Sequence, residues 1–366
     1  MIAAQLVPKR TFGNTGVKIS KLCLGGGSFG NSDGQALLDE ALKYGVDCWE
    51  VVSFTGKVYG EYFKKHSDMR EKIFLTGKVH FTDPAAMEKQ LDDMLVENET
   101  SVIDFLAVHV LDNTEVLTND IRKWVEKLKK EKKIRFFGFC THKNMDRCLS
   151  NAADLGWIDG VHTVYSYRMQ CVKSMEDAFH KCYEKGVGIF AVKSMGLTVL
   201  RKTERQPDEE KLDAALSGHN ITFEQAKLMS IWQNPALTSI CSLMSSPEIV
   251  QSNASAAVNE AALDAEVQKL LSDYADSTSK YFCRRCDQCE AANADKVPIF
   301  DIMELLMYSR GYARMEMIAK KFMQIPVEVR NRMSHSDYSV AEKMCPQKMP
   351  IGQLMKEACD EFTTHS

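Results

Sequence analysis

Three cysteines in the last third of the chain have a spacing that suits a metal centre. Cys283, Cys286 and Cys289 are separated by two residues each, so one short loop can turn three thiolates toward a common point. Loops of this kind hold iron–sulfur clusters, and zinc is also bound by four cysteines. Cys345, which is followed by Pro346, is the candidate for the fourth thiolate.

The wide separation of Cys289 and Cys345 has a parallel in the two-cluster ferredoxins. There, each run of cysteines gives three ligands to one cluster and a fourth, followed by proline, to the other. In this chain the positions of the second set contain no cysteine and are Asn293, His335, Tyr338 and Ala341. We therefore expect one [4Fe–4S] cluster, without its twin, on four ligands: Cys283, Cys286, Cys289 and Cys345. A zinc site, whose usual pattern is two CxxC pairs, and unligated thiols are the alternatives.

The composition is that of an ordinary globular protein. The chain has 366 residues, of which 45% are hydrophobic and 26% charged, and its formal net charge is −4. This acidic balance gives no electrostatic case for nucleic-acid binding. No apolar run approaches the roughly 20 residues that span a bilayer, and the start of the chain is too polar for a secretory signal. The expected location is the cytoplasm, with no membrane partner.

Eight apolar runs alternate with helix-length segments between residue 18 and about residue 260. The runs are residues 19–25, 46–51, 73–79, 102–109, 134–140, 160–165, 187–193 and 238–244. Continuous apolar runs are typical of parallel strands that are buried on both faces. Eight strand–helix units within this length predict an α/β fold, the (β/α)8 TIM barrel. A doubly wound open sheet is the alternative.

Two domains are expected, a barrel over residues 1–262 and a helical, ferredoxin-like [4Fe–4S] domain over residues 263–366. Residues 11–18 have the composition of a hairpin that plugs the bottom of the barrel. Residues 202–218 are polar and charged, which indicates a surface excursion between the seventh and eighth strands. Residues 300–324, between the two cysteine motifs, are helical in pattern and rich in Met, Leu and Tyr.

Several segments, in this order, resemble the aldo-keto reductase family. They are residues 10–30, 73–79, 103–109 and 133–142, followed by SSPE at residues 245–248. The C-terminal cysteines are similar to those of the family's iron–sulfur subgroup, which carries a ferredoxin-like domain. The resemblance runs from about residue 11 to the C-terminus, and it implies an oxidoreductase built on a TIM barrel.

The resemblance implies hydride transfer between NADPH and a carbonyl at the C-terminal ends of strands two to four. The family uses an Asp, a Tyr, a Lys and a His there, and the Tyr donates the proton because the Lys lowers its pKa. In this chain Lys78 and His109 match the Lys and the His, and Glu50 stands at the Asp position. The loop after Glu50 is shorter than in the family. We expect the tyrosine to be missing, since the aligned position holds Thr55 and Tyr59 aligns with an apolar helical position.

The positions that bind the nicotinamide in the family also differ. The resemblance places Cys140 and Thr141 after the fifth strand, where the family has a Ser, and His162 in place of a Gln on the sixth. Ser245 and Asn253 match the end of the eighth strand and the helix that follows it. These five residues are the candidate cofactor-binding residues. Their departures from the family pattern weaken the expectation of ordinary NADPH-linked reduction.

These features predict an oxidoreductase that acts on a small carbonyl or alcohol, with one [4Fe–4S] cluster and NADP(H) as a further candidate cofactor. The expected partners are a small-molecule substrate and a redox partner protein. Two other functions stay open. One is an acid–base or cluster-assisted lyase that uses Glu50, Lys78 and His109 without hydride transfer. The other is a catalytically silent electron-transfer or binding protein, since one fold serves many functions.

Overall fold

The computed structural model of the chain has two compact units. It describes residues 5–27, 34–52, 56–81, 83–170, 172–196, 207–259, 263–293, 295–312 and 315–364. The first unit consists of Met1–Ser194 and Ile221–Leu263, and the second of Met195–Asn220 and Asp264–Ser366. The chain therefore leaves the first unit after residue 194, returns to it at residue 221, and leaves it again after residue 263.

A closed barrel of eight parallel strands forms the core of the first unit. Its strands are β3 (Leu22–Leu24), β4 (Cys48–Val51), β5 (Phe74–His80), β6 (Ile103–His109), β7 (Ile134–Thr141), β8 (Gly160–Val164), β9 (Gly188–Val192) and β10 (Leu237–Ser242). Neighbouring strands pair in chain order, and β10 closes the barrel against β3. Each strand overlaps one predicted apolar run, because both faces of a barrel strand are covered by protein. The TIM-barrel prediction is confirmed.

An antiparallel hairpin precedes the barrel, as predicted. β1 (Lys9–Thr11) pairs with β2 (Lys18–Ser20). The buried Phe12, which follows β1, contacts four aromatic rings of barrel strands at centroid distances of 5.1–5.5 Å, those of Phe74, Phe105, Phe136 and Phe190. Phe12 therefore fills one end of the barrel interior.

Helices cover the strands of the first unit. They are α1 (Gly34–Lys43), α2 (Gly56–Lys65), α3 (Pro84–Glu97), α4 (Asn119–Lys130), α5 (Met145–Leu155), α6 (Lys173–Lys185), α8 (Phe223–Trp232) and α9 (Pro247–Val258). In α3 the Asp83 side chain caps the N-terminus by accepting from the N–H groups of Ala85 and Ala86. Its buried side chains recur at helical spacing, at Met87, Leu91 and Leu95, as expected for a helix with one apolar face.

The second unit is helical in its described part. Its helices are α7 (Pro207–Gly218), α10 (Ala265–Ser277), α11 (Ile299–Tyr312), α12 (Met315–Met323), α13 (Val327–Met333), α14 (Ser339–Met344) and α15 (Ile351–Thr364). Ile302, Phe322 and Phe362 are fully buried in its core. The segment predicted as an excursion between the seventh and eighth barrel strands contains α7, which packs against α10. No helix in the described ranges is long and apolar enough to cross a membrane.

Candidate active site and cysteine site

A buried ion pair lies near the C-terminal end of the barrel. Nζ of Lys78, on β5, donates to Oε1 of Glu50, on β4, at 2.5 Å. The backbone N–H of Gly26 donates to the other carboxylate oxygen at 2.9 Å. Burial opposes both charges, but each charge stabilises the other, so the pKa of Glu50 is lowered and the pKa of Lys78 is raised. Both groups are therefore ionised near neutral pH.

His162 lies inside the barrel next to this pair. Its ring is fully buried and contacts the rings of Phe105 and Phe190 at 5.5 Å and 4.6 Å. Nε2 lies 3.1 Å from Oγ1 of Thr76, and Nδ1 lies 3.6 Å from Oε1 of Glu50 without a hydrogen-bond partner in the described part of the chain. Burial, and then the charge of Lys78, lowers the pKa of His162 to about 3. The ring is therefore neutral near pH 7.

Three histidines stand where three consecutive strands end. They are His80 of β5, His109 of β6 and His142 directly after β7. The ring of His109 lies edge-on to the other two at centroid distances of 5.2 Å and 6.1 Å. Burial, and then the charge of Lys78, lowers the pKa of His109 to about 4. Its buried Nδ1 has no hydrogen-bond partner among the described residues.

Sequence reasoning did not single out His80. The sequence feature that could have identified it is its place two residues after Lys78 on the same strand, because alternate residues of a strand face the same side. In the structure His80 is paired in register with His109 on the neighbouring strand. This end of the barrel therefore has more polar side chains than Lys78 and His109, the two residues that match the family.

The four cysteines of the predicted metal centre line one pocket in the second unit. Three come from the loop before α11, and Cys345 directly follows α14. The other walls include the apolar residues Ile299, Phe300, Met303, Met349 and Ile351. Burial, together with the other cysteines of the set, raises the pKa of both Cys283 and Cys289 to about 12. These thiols keep their protons unless a bound cation displaces them.

Arg285 fixes the cysteine loop to α11. Its side chain is almost fully buried, and Nη1 lies 2.6 Å from a carboxylate oxygen of Glu304. Its backbone N–H donates to Sγ of Cys283 at 3.4 Å. Arg285 and Asp287 both have left-handed backbone conformations, with φ of +60° and +64°. Non-glycine residues rarely adopt this conformation, and here it lets the short loop coil back on itself.

At the four positions where a second cluster would need cysteines, the side chains pack or form hydrogen bonds within the protein. Asn293 accepts from the N–H of Val297 at 3.2 Å, and the Tyr338 hydroxyl donates to the carbonyl of Met333 at 2.7 Å. Ala341 and the Tyr338 ring belong to the hydrophobic core. His335 lies on the surface, with Nδ1 contacting the carbonyl of Asn331. These positions therefore pack and cap the helices around them.

A family model described as the aldo/keto reductase family matches residues 21–273, which is more than half of the chain. The chain belongs to the aldo/keto reductase family. A search of curated proteins gives no match to it.

Solved aldo-keto reductases have the fold of this family member. AKR11C1 from Bacillus halodurans, in its holo form, is 20% identical, with a TM-score of 0.58 over 73% of this chain and 96% of that chain. The thermostable aldo-keto reductase Tm1743, solved with the inhibitor epalrestat, is 21% identical, with a TM-score of 0.59 over 73% of this chain and 99% of that chain. At these identities the likeness shows the fold alone.

No tyrosine contacts the lysine of this aldo/keto reductase within the described ranges. Lys78 donates to Glu50, and the aligned Thr55 lies outside the described residues. Tyr59 is a buried residue of α2, whose ring stacks on Trp49 at 5.3 Å and whose hydroxyl donates to the carbonyl of Glu50 at 3.2 Å. Tyr59 is therefore a packing residue on the outer side of β4.

Three of the candidate cofactor-binding residues of this family member contact other groups of the protein. Cys140 is buried, 3.4 Å from Nε2 of His142, and Thr141 donates to the carbonyl of Lys143 at 2.8 Å. Asn253 is buried on α9 and donates to the hydroxyl of Ser242 at 3.0 Å. Ser245 is exposed, and the neighbouring Ser246 caps α9.

Proposed function

We propose that this aldo/keto reductase is an oxidoreductase that acts on a small carbonyl or alcohol, and that its second unit holds one [4Fe–4S] cluster. The proposed catalytic residues are Glu50, Lys78 and His109. One observation carries the proposal for the barrel. A buried ammonium and a neutral imidazole stand together at the C-terminal end, where TIM-barrel enzymes have their active sites.

Each of the three residues has a distinct role in this proposal. The Lys78 ammonium stabilises the negative charge that develops on a carbonyl oxygen as an external reductant supplies the electrons, and the protons of the alcohol product come from that reductant and from water. Glu50 keeps Lys78 charged, and its bond from Gly26 holds the pair in place. His109 is neutral near pH 7, so it orients the substrate by one hydrogen bond. No phenol contacts Lys78 in the described ranges, so these two donors replace it at the substrate oxygen.

NADP(H) is left out of these roles because the residues that the resemblance implies for it do not suit a dinucleotide. His162 is fully buried against the rings of Phe105 and Phe190, and Asn253 is bound to Ser242. Titration with NADPH, followed by tryptophan fluorescence, tests this point. Saturable quenching at micromolar NADPH would contradict it.

The barrel proposal is tested by turnover of small carbonyls and alcohols, with NADPH and with a one-electron donor as alternative reductants. Lys78→Met should lower kcat/KM by about a hundredfold or more, as the loss of an oxyanion-stabilising donor does elsewhere. Lys89→Met, which changes an exposed lysine of α3, should leave kcat/KM unchanged. Equal turnover in wild type and Lys78→Met, or no turnover of any substrate by wild type, would overturn the proposal.

The cysteine pocket suits a [4Fe–4S] cluster. Four cysteines face it, its other walls are largely apolar, and a backbone N–H already donates to Cys283. A single zinc ion, with zinc–sulfur bonds of about 2.3 Å, would need all four sulfurs close together. Among the described residues, the group whose ligand atoms are close enough to hold one ion does not include these four cysteines. A bound [4Fe–4S] cluster supplies one-electron transfer. Arg285 and Glu304 fix the loop that would hold it.

Iron and sulfide analysis after anaerobic reconstitution tests the cluster proposal. Wild type should bind about four iron and four sulfide per chain and give the electron paramagnetic resonance signal of a reduced [4Fe–4S] cluster. Cys345→Ser should lose or alter this signal. The matched control is Cys359→Ser, which changes a partly buried cysteine of α15 outside the pocket. One zinc and no iron in wild type would overturn the proposal.

A lyase is the second candidate, and the lack of a phenol contact to Lys78 in the described ranges favours it. An acid–base reaction needs Glu50, Lys78 and His109 but no external electrons. Turnover of a hydroxy or carbonyl substrate with no reductant present would support the lyase. Turnover that requires a reductant would support the oxidoreductase.

A further inference from the structure

Three side chains of different chemistry converge inside the barrel. Glu50 of β4, His162 of β8 and Cys241 of β10 are all buried, and their ligand atoms lie within 4.8 Å of one another. No two of the strands that carry them are neighbours in the closed barrel. Their convergence follows from the alternation of strand residues, which turns one side chain of each strand into the same interior layer.

The imidazole in this group is oriented as a ligand. Nε2 of His162 contacts Thr76, so the ring is held by its outer nitrogen, as metal-binding histidines are held by a partner outside the metal site. Nδ1 is buried and has no hydrogen-bond partner in the described part of the chain. Its distance of 3.6 Å from Oε1 of Glu50 is close to the roughly 3.4 Å that separates two ligand atoms of a tetrahedral zinc ion.

We propose that Glu50, His162 and Cys241 form a binding site for one zinc-like divalent cation, in competition with Lys78. One nitrogen, one sulfur and one oxygen ligand make a set that zinc accepts, and three protein ligands are the number found in catalytic zinc sites. Such sites keep a position for water or a substrate oxygen. The proposal is independent of the iron–sulfur cluster. It shares Glu50 with the proposed catalytic residues, so bound zinc would displace Lys78 from the place that it has in the proposed reaction.

The competition follows from the contact that Glu50 already makes. Nζ of Lys78 lies 2.5 Å from the same oxygen that faces Nδ1 of His162. An ammonium and a divalent cation repel each other strongly at such distances in a buried site. The cation therefore binds when Lys78 withdraws from Glu50. Removal of the lysine charge should make the site bind more tightly.

Zinc binding to the full-length, cluster-loaded protein tests the proposal. Equilibrium dialysis against zinc should give one bound zinc per chain in wild type. X-ray absorption at the zinc edge should show one sulfur and otherwise nitrogen or oxygen ligands. This ligand set differs from four sulfurs, which zinc in the cysteine pocket of the second unit would show. A failure of the cluster proposal is therefore distinguishable from a failure of this one.

Four variants give the expected pattern. Cys241→Ser should remove the sulfur contribution. His162→Gln should weaken binding by about tenfold or more, since the loss of even an outer-shell partner of a ligand typically costs that much. Lys78→Met should tighten binding by about tenfold or more because the competing charge is gone. The matched control is Cys182→Ser, a buried thiol on α6 that donates to the carbonyl of Leu149.

Two results would overturn the proposal. One is zinc bound with the same affinity and the same ligands in wild type and in Cys241→Ser. The other is the absence of bound zinc from both wild type and Lys78→Met. Far-ultraviolet circular dichroism of each variant separates misfolding from loss of a ligand. If Cys241→Ser does not fold, Cys241→Ala and His162→Gln supply the same comparison. If Lys78→Met binds zinc more tightly than wild type, and the double variant Lys78→Met/Cys241→Ser loses this tighter binding, the result supports both the site and the competition.

Discussion

Glu50 and Lys78 form a buried pair that stability alone does not favour. Removing two charges from water costs free energy, and apolar side chains of similar size often stabilise a core as well or better. Here the side chains retain only 10% and 12% exposure, and a backbone N–H holds the carboxylate in place. The arrangement fixes one positive charge at the end of the barrel where barrel enzymes bind substrate.

Breaking the pair should cost more than removing it. We predict that Glu50→Gln lowers the free energy of unfolding of the barrel by about 3 kcal/mol or more, because the Lys78 ammonium stays buried without its partner. The double variant Glu50→Gln/Lys78→Met should recover most of this loss, since no charge is left behind. Urea unfolding followed by tryptophan fluorescence measures both. The exposed pair of Lys89 and Asp93 is the control, and Asp93→Asn should have no measurable effect.

Two neutral histidines give the barrel a pH dependence. Burial and the charge of Lys78 lower the pKa of His162 to about 3 and of His109 to about 4, whereas both have a pKa near about 6.5 in the unfolded chain. Below about pH 6.5 the unfolded state therefore binds more protons than the folded state, and stability falls as the pH falls toward 4. Above about pH 6.5 these two groups add no further change.

The urea midpoint of the barrel should therefore fall between pH 7 and pH 4.5. His162→Gln should reduce the slope by up to about one proton, or about 1.4 kcal/mol per pH unit. His180→Gln, at an exposed histidine of α6, should leave the slope as it is in wild type. An equal slope in wild type and His162→Gln would contradict this account of the buried ring.

At the scale of the elements, the strands were the predictable part. A barrel strand needs apolar residues on both faces, so each strand appears in the sequence as a continuous apolar run bounded by polar segments. The start of α3 was predictable too, since Pro84 and the apolar spacing after it depend on local sequence alone. These signals require no knowledge of distant contacts.

The packing of the hairpin against the barrel depends on two glycines. A Cβ at Gly188 would lie 2.2 Å from Cδ2 of Phe12, and a Cβ at Gly160 would lie 2.5 Å from the same ring. We predict that Phe12→Ala lowers the free energy of unfolding by about 3–5 kcal/mol, as other buried phenylalanines do. Gly188→Ala should also destabilise the barrel, and Phe12→Leu in the same chain should recover part of that loss. Urea unfolding measures each effect.

The matched control for this series is Phe81→Ala, since Phe81 is 39% exposed. It should change the free energy of unfolding much less than Phe12→Ala. If Phe12→Leu and Gly188→Ala are simply additive, the two residues are not coupled. That result would contradict the direct packing of the Phe12 ring against Gly188.

The site was less predictable than the strands because its geometry depends on side-chain direction across distant strands. The positions of Lys78 and His109 followed from the resemblance, but the packing of His162 against Phe105 and Phe190 did not. The same holds for Asn253, whose amide is bound to Ser242. The polar composition of the α7 segment predicted an excursion, but it gave no sign that the two buried leucines, Leu212 and Leu216, pack α7 into the second unit.

At the scale of the whole molecule, the two units contain different reporters. All four tryptophans lie in the barrel unit, at Trp49, Trp124, Trp157 and Trp232. The four cysteines of the pocket lie in the second unit. Tryptophan fluorescence therefore follows the barrel, while the absorption of a bound cluster follows the second unit. The two units can be studied separately in one intact chain.

Removal of iron should weaken the second unit without unfolding it. Its core contains Ile302, Phe322 and Phe362, which pack with many other apolar side chains and need no metal. We predict that the chelated protein keeps most of its helical circular dichroism. A ligand present at a hundred times its Kd stabilises by about 3 kcal/mol, so the second unit should unfold at a lower urea concentration once iron is removed. Cys345→Ser should behave like the chelated wild type. Complete loss of helix on chelation, or an unchanged midpoint, would contradict the prediction, and tryptophan fluorescence separates either result from changes in the barrel.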